Sequence, residues 1–182
     1  MTKPRPLRVP AGRSHIHVRS LEIGDFHFIQ RLASKQPNFT VPSAYLLWLL
    51  LRIDGAICLV AEHSTKGALA YLLALPVKDP KRSMFVWQFA ASEGPERETA
   101  SLSLLTEFRE VAAGLGMESI VFSSVPNSAA YRAIRRYAWK VCSSVPKAVS
   151  SLPPAVSPIE REFLLPLKAK RRDRVGTVVT TG

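Results

Sequence analysis

The chain has too few cysteines to build on: Cys58 and Cys142 are the only two in 182 residues, and both sit inside apolar stretches. That spacing excludes a disulfide scaffold and a zinc finger. No run reaches the eighteen or so consecutive apolar residues of a membrane span. The Pro- and Arg-rich N-terminus has no apolar signal region, which points to the cytoplasm. Negative charge is scarce, with 14 Asp and Glu against 25 Lys and Arg, a formal net charge of +11. No Walker loop, Ser-His-Asp order or Cys-His pairing is present, and no internal repeat. What is there is apolar: 47% of the residues are hydrophobic and only 21% charged, enough to bury one core and too much for a disordered chain.

The positive charge gathers at the ends. Lys3, Arg5, Arg8 and Arg13 lie in a Pro-rich segment, and Lys168, Lys170, Arg171, Arg172 and Arg174 outweigh Asp173 in a polar one. The expected organisation is a basic tail over 1–14, one domain over 15–167 and a second basic tail over 168–182. Such tails either grip a polyanion by releasing counterions or simply keep the chain in solution.

Hydrophobic periodicity predicts the elements between them. Residues 15–19 alternate as a strand, and Gly24-Asp25 opens a helix through Phe26, Ile29, Leu32 and Ala33 that Pro37 stops. Pro42-Ser43 starts a second, strongly apolar helix through Tyr45, Leu46, Leu49 and Leu50, ending near Asp54-Gly55. Apolar runs over 56–62 and 68–77 form a hairpin, and 83–91 extends it to a meander. Leu102, Leu105, Phe108, Ala112 and Leu115 predict one face of a helix closed by Gly114 and Gly116. A strand over 119–125 precedes a helix with Asn127 as its N-cap. Strands near 140–145 and over 160–167 complete the order. The fold class is α+β, with helices on both faces of one mostly antiparallel sheet of about seven strands.

Three local motifs occur within that order: Pro42-Ser43-Ala44-Tyr45-Leu46-Leu47 followed by Leu59-Val60-Ala61-Glu62, Phe85-Val86-Trp87-Gln88-Phe89-Ala90, and Pro126-Asn127 with Ala129, Ala130 and Ala133. Together with the element order they resemble the GNAT acyltransferases over residues 15–167, and more narrowly the diaminobutyrate acetyltransferase family of ectoine synthesis. The resemblance implies transfer of acetyl from acetyl-CoA to a primary amine, a small-molecule or protein acceptor, and a splayed strand pair. Its implied cofactor positions are Phe89, Ala90 and Ala91 on the central strand, Arg97, Glu98, Thr99, Ala100 and Ser101 at the pyrophosphate turn, and Asn127. Its implied substrate positions are Asn38, Ser43, Tyr45 and Trp87; Tyr131, one turn before the family's tyrosine position, is either the acid for the departing thiolate in a rotated helix or a packing residue. A homodimer is left open.

The chain departs from that pattern at several positions. The glycines expected in the pyrophosphate turn are replaced by Arg97 and Thr99, and Glu93, Glu96 and Glu98 bring negative charge to it. Asn38 stands for an acidic residue, Ser43 for an aromatic one, and Ile134 for a tyrosine found in many GNAT enzymes. Two readings therefore stay open: an acyl-CoA-dependent N-acyltransferase, or a catalytically inactive GNAT-fold binding protein that engages nucleic acid or a protein partner. The second would use the tails and a basic helix face of Arg132, Arg135, Arg136 and Lys140. His15, His17 and His27 lack the partners of a metal site, and Trp48, Trp87 and Trp139 read as core.

Overall fold

The computed structural model describes residues 15–36, 39–78, 80, 82–151, 157 and 159–167. Asn38 and the segments 1–14 and 168–182 lie outside the described residues. In chain order the elements are β1 (Ile16–Ser20), a 3-10 turn (Ile23–Asp25), α1 (Phe26–Ala33), α2 (Ala44–Leu50), β2 (Ile57–His63), β3 (Gly67–Val77) and β4 (Ser83–Ala91). They continue with α3 (Arg97–Gly114), β5 (Ser119–Ser124), α4 (Ala129–Cys142), β6 (Lys147–Ser151) and β7 (Arg161–Pro166). The strands form one sheet in the order β1-β2-β3-β4-β5-β7-β6. Every neighbouring pair is antiparallel except β4 and β5, which the crossover helix α3 makes parallel. The α+β class and the mostly antiparallel seven-stranded sheet read from the sequence are observed.

β2 and β3 read as unbroken apolar runs because they are central and covered on both faces. Leu59, Ala61, Leu72 and Met84 pack with Leu104 and Phe108 of α3. Cys58, Val60, Tyr71 and Leu73 pack on the opposite face with Ile29 of α1 and Leu47 of α2. Burial pushes the Cys58 thiol up to about 11, so it behaves as a small hydrophobe. At the β1 edge Arg19 grips Asp25 with two bonds of 2.7 and 2.8 Å and reaches Glu62 at 2.6 Å. Burial alone would raise the Asp25 carboxyl; the Arg19 bonds and the Glu22 N–H outweigh it and hold its pKa below the ordinary range. This staple fixes where α1 leaves the sheet.

Several local expectations are corrected. The buried side of α3 is Ala100, Ser101, Leu104, Phe108 and Ala112; Leu102 and Leu105 are half-buried and Leu115 is 49% exposed. A helix this close to the sheet turns its small residues inward and leaves part of its leucines at the rim. The N-cap of α4 is Ser128, whose Oγ accepts from the Tyr131 N–H at 3.0 Å, while Asn127 takes a positive φ of 61° just before it. The strand expected near 140–145 is the end of α4, closed by Ser143 in the left-handed conformation, and the strand proper begins at Lys147. α2 stops at Leu50 and turns occupy the next residues. Trp139 is 61% exposed rather than core, and Trp48 is at the surface under the Arg52 guanidinium. Among the described residues no helix is long and apolar enough to cross a membrane.

Candidate active site

The site is built on the one parallel pair. β4 and β5 are in register from Ser83↔Ser119 to Val86↔Phe122, and there the ladder ends although both strands run on. The shared end is closed by a buried hydrogen bond of 2.6 Å between the Ser83 and Ser119 hydroxyls. Past Val86 the β3–β4 register slips by one: Leu73 faces Gln88 and Ala74 faces Val86, leaving Trp87 as an extra, bulged residue. A bulge bends its strand and re-aims the side chains beside it. β4 therefore turns away from β5 at this residue, and a wedge opens between them.

The polar groups lining the wedge follow from strand alternation. The Ser92 N–H is bonded to the Leu69 carbonyl of β3. Ala90, two residues earlier and opposite Tyr71, points its backbone the same way. Phe89 and Ala91 consequently direct their N–H and C=O groups to the open side, where β5 no longer pairs with them. These are two of the three strand positions expected from the sequence; the third, Ala90, is spent on β3.

Above the wedge the chain enters α3 through Ser92-Glu93-Gly94-Pro95-Glu96. Gly94 holds a φ of 138°, a conformation that side chains rarely adopt, and its carbonyl accepts from the Arg97 N–H at 3.2 Å. The first turn of the eighteen-residue α3, which carries Arg97, Glu98, Thr99 and Ala100, thus starts at the mouth of the wedge. Its leading N–H groups and the helix dipole make a place for an anion. Two of the three carboxylates there are paired. Glu96 is bonded by Lys66 from the β2–β3 hairpin, and Glu98 by Lys140 of α4 at 2.5 Å. Those lysines hold both carboxyls below their ordinary pKa. Sequence spacing revealed the acidic turn and missed the cations that fold across it. Ser101 is buried against the sheet.

On the opposite face the connection between α1 and α2 is tied down onto β4. The Tyr71 hydroxyl donates to Gln88 Oε1 at 3.0 Å, and Gln88 Nε2 donates to the Thr40 carbonyl at 2.7 Å. Gln30 Nε2 holds the Pro42 carbonyl at 3.0 Å. Burial drives the Tyr71 phenol well above its ordinary range, so it stays a neutral donor. Gln88 was read from the sequence only as part of the motif over 85–90 and was given no role of its own. Trp87 is half-buried on this same face. Ser43 spends its hydroxyl as the N-cap of α2, accepting from the Leu46 N–H at 3.1 Å. Tyr45 is 70% exposed and stacks on Trp48. Of the expected acceptor residues that are described, only Trp87 borders the wedge.

On the β5 side the Asn127 carbonyl accepts from Arg132 at 2.6 Å, and the Tyr131 ring lies 4.5 Å from Phe163, which itself stacks on Phe122 at 5.4 Å. Tyr131 is thus the end of an aromatic row. Beneath α3 and α4 lies a cavity of about 70 Å³, walled by apolar side chains such as Val86, Phe89, Phe122 and Ile134. Arg132, Arg135, Arg136 and Lys140 line a more open groove with Trp139 on the outer side of α4. His15 faces the His63 ring, and His17 lies 3.5 Å from Glu62. Among the described residues no three His, Cys, Asp or Glu gather as metal ligands.

No protein-family model matches the chain, and no curated protein matches it by sequence. Solved structures do match. A diaminobutyrate acetyltransferase from Paenibacillus lautus, solved with L-2,4-diaminobutyric acid and coenzyme A, is 22% identical over 84% of this chain and 95% of its own, with a TM-score of 0.68. Ard1 from Thermoplasma volcanium is 15% identical over 82% and 95%, with a TM-score of 0.65. The protein yncA from Salmonella typhimurium, solved with its cofactor acetyl-CoA, is 13% identical over 90% and 99%, with a TM-score of 0.64. With its wedge between two parallel strands and its helices on both faces, the chain has the fold of the GNAT acetyltransferases.

Proposed function

We propose that the protein is an acyl-CoA-dependent N-acyltransferase that moves an acetyl group from acetyl-CoA to a primary amine. The observation that carries this reading is the interrupted β4–β5 ladder, which leaves the backbone of Phe89 and Ala91 free beside the N-terminus of α3. A pantetheine arm pairs with such backbone as a short extra strand. Its pyrophosphate is met by the N–H groups of the first turn of α3, at Glu98 and Thr99, with Arg97 supplying a cation in place of the missing glycines, while the Ala100 N–H is held by the Glu96 carbonyl. The thioester then sits where the strands part. Backbone donors at that point stabilise the oxyanion as the amine lone pair attacks the carbonyl carbon, the C–S bond breaks and the thiolate takes up a proton.

The acceptor approaches from the face of Trp87, under the α1–α2 connection pinned by Gln88. In this reading Asn38 and Ser43 stand where related enzymes carry a carboxylate and an aromatic residue, so the amine differs from L-2,4-diaminobutyric acid. Tyr131 remains the only phenol in the first turn of α4 and is assigned as the proton donor to the thiolate. Residues 15–167 form the catalytic domain in this reading, and the flanking tails are accessory.

A calorimetric titration with acetyl-CoA tests it, at moderate salt so that the +11 charge does not by itself attract the anionic cofactor. Saturable one-site binding that survives added salt is expected. No binding at millimolar acetyl-CoA overturns the acyltransferase and leaves the noncatalytic binding protein.

A further inference from the structure

The cavity beneath α3 and α4 begins where the β4–β5 ladder ends. Val86 and Phe122 are the last paired residues of β4 and β5, and the free backbone of Phe89 and Ala91 lies on the opening side of them. The cavity borders both sides of this point: Phe89 lines it on the opening side, and it continues beneath the paired half. Ile120, two residues before Phe122, and its β7 neighbour Leu165 form part of its floor, and Phe108, Val141 and Cys142 form its walls. A pantetheine arm paired with the diverging strands would bring its thioester to the Phe89 end of this space, leaving the Ile120 and Leu165 end for the acyl group.

The chemistry of the walls selects the guest. They are apolar almost throughout, so a water inside would find none of the two to four polar partners it needs. Side chains facing such a void lack dispersion partners on one side, and an apolar chain restores them. Ile134, where the resemblance places a tyrosine, adds a further hydrocarbon wall at the entrance.

We propose that this cavity receives the acyl chain of the donor, so that the protein uses acyl-CoA thioesters with saturated chains longer than acetyl. The inference rests on the acyl-CoA reading given above and extends it to the donor. The reaction balances as before: the amine nitrogen bonds to the acyl carbonyl carbon, the C–S bond breaks, and CoA leaves as the thiol with the proton that the amine gives up.

The test is a calorimetric series on the full chain with acetyl-, butyryl-, hexanoyl- and octanoyl-CoA. Each methylene moved from water into the cavity is expected to tighten binding about fourfold until the space is filled. Ala138→Leu and, separately, Cys142→Leu narrow the cavity and should flatten the series, while acetyl-CoA binding in the wedge reports that each variant is folded. Equal affinity for all four donors overturns the inference and leaves the acyl-CoA reading standing. A gain with chain length that persists in both folded variants also overturns it, since the chain then lies elsewhere. Failure of every donor to bind, acetyl-CoA included, removes both readings together.

Discussion

The two halves of β4 share a strand and differ in their neighbours. From Ser83 to Val86 the strand is paired on both sides, with β3 and with β5, and its first residue is fastened to Ser119 across a buried hydroxyl bond. From Trp87 to Ala91 it is paired with β3 alone. Burial is similar along the whole length, with Met84 and Ala91 both inside. What separates structure from site here is therefore the satisfaction of the backbone and not hydrophobicity. A bulge of one residue at Trp87 converts an interior strand into a sheltered edge.

The strongest way to break the comparison is at the paired half. Met84→Ala removes a fully buried side chain from the α3 face and is expected to cost about 3 kcal/mol in urea unfolding while acetyl-CoA binding survives in the folded fraction. A loss of binding in step with stability would show that the two halves act as one unit. Ser83→Ala should cost about 1.5 kcal/mol, because Ser119 is left with a buried hydroxyl short of one partner. The double variant with Ser119→Ala should cost less than the sum of the two singles, and strict additivity would remove the clasp. The smallest effect is expected at the open half. Ala91→Pro deletes an N–H that makes no ladder bond, in a strand conformation that the preceding Ala90 tolerates. Unfolding should change little, while acetyl-CoA binding weakens by about tenfold, the worth of one backbone hydrogen bond. Unchanged binding would mean that the wedge backbone is not the cofactor's partner.

Much of this architecture was legible in advance. The apolar runs through Leu59 and Leu72 identified the central strands, and the Trp87-Gln88 motif marked the strand that carries the wedge. The misreadings have physical causes. Asn127 and Ser128 are both good helix caps, and only the left-handed backbone at Asn127 decides for its neighbour. The α3 face was misjudged because Leu102, Leu105 and Leu115 form an apolar stripe at the correct period, while the side that meets the sheet is set by the small residues Ala100 and Ala112. Glu96 and Glu98 read as unfavourable to an anion because Lys66 lies thirty residues before Glu96 and Lys140 lies 42 after Glu98. A pattern along the chain does not register charges that meet only across it.

By itself the sequence determined the class of fold, the order of the elements and the strand on which a site would be built, because hydrophobic periodicity and turn residues act over a few neighbouring positions. Only the tertiary structure decided where the β4–β5 ladder stops, which backbone groups are left facing the gap, which carboxylates find a lysine, and that an apolar cavity lies below. Those are properties of register and of contacts between residues far apart in the chain, and a shift of one residue in register would send each of those groups to the other side.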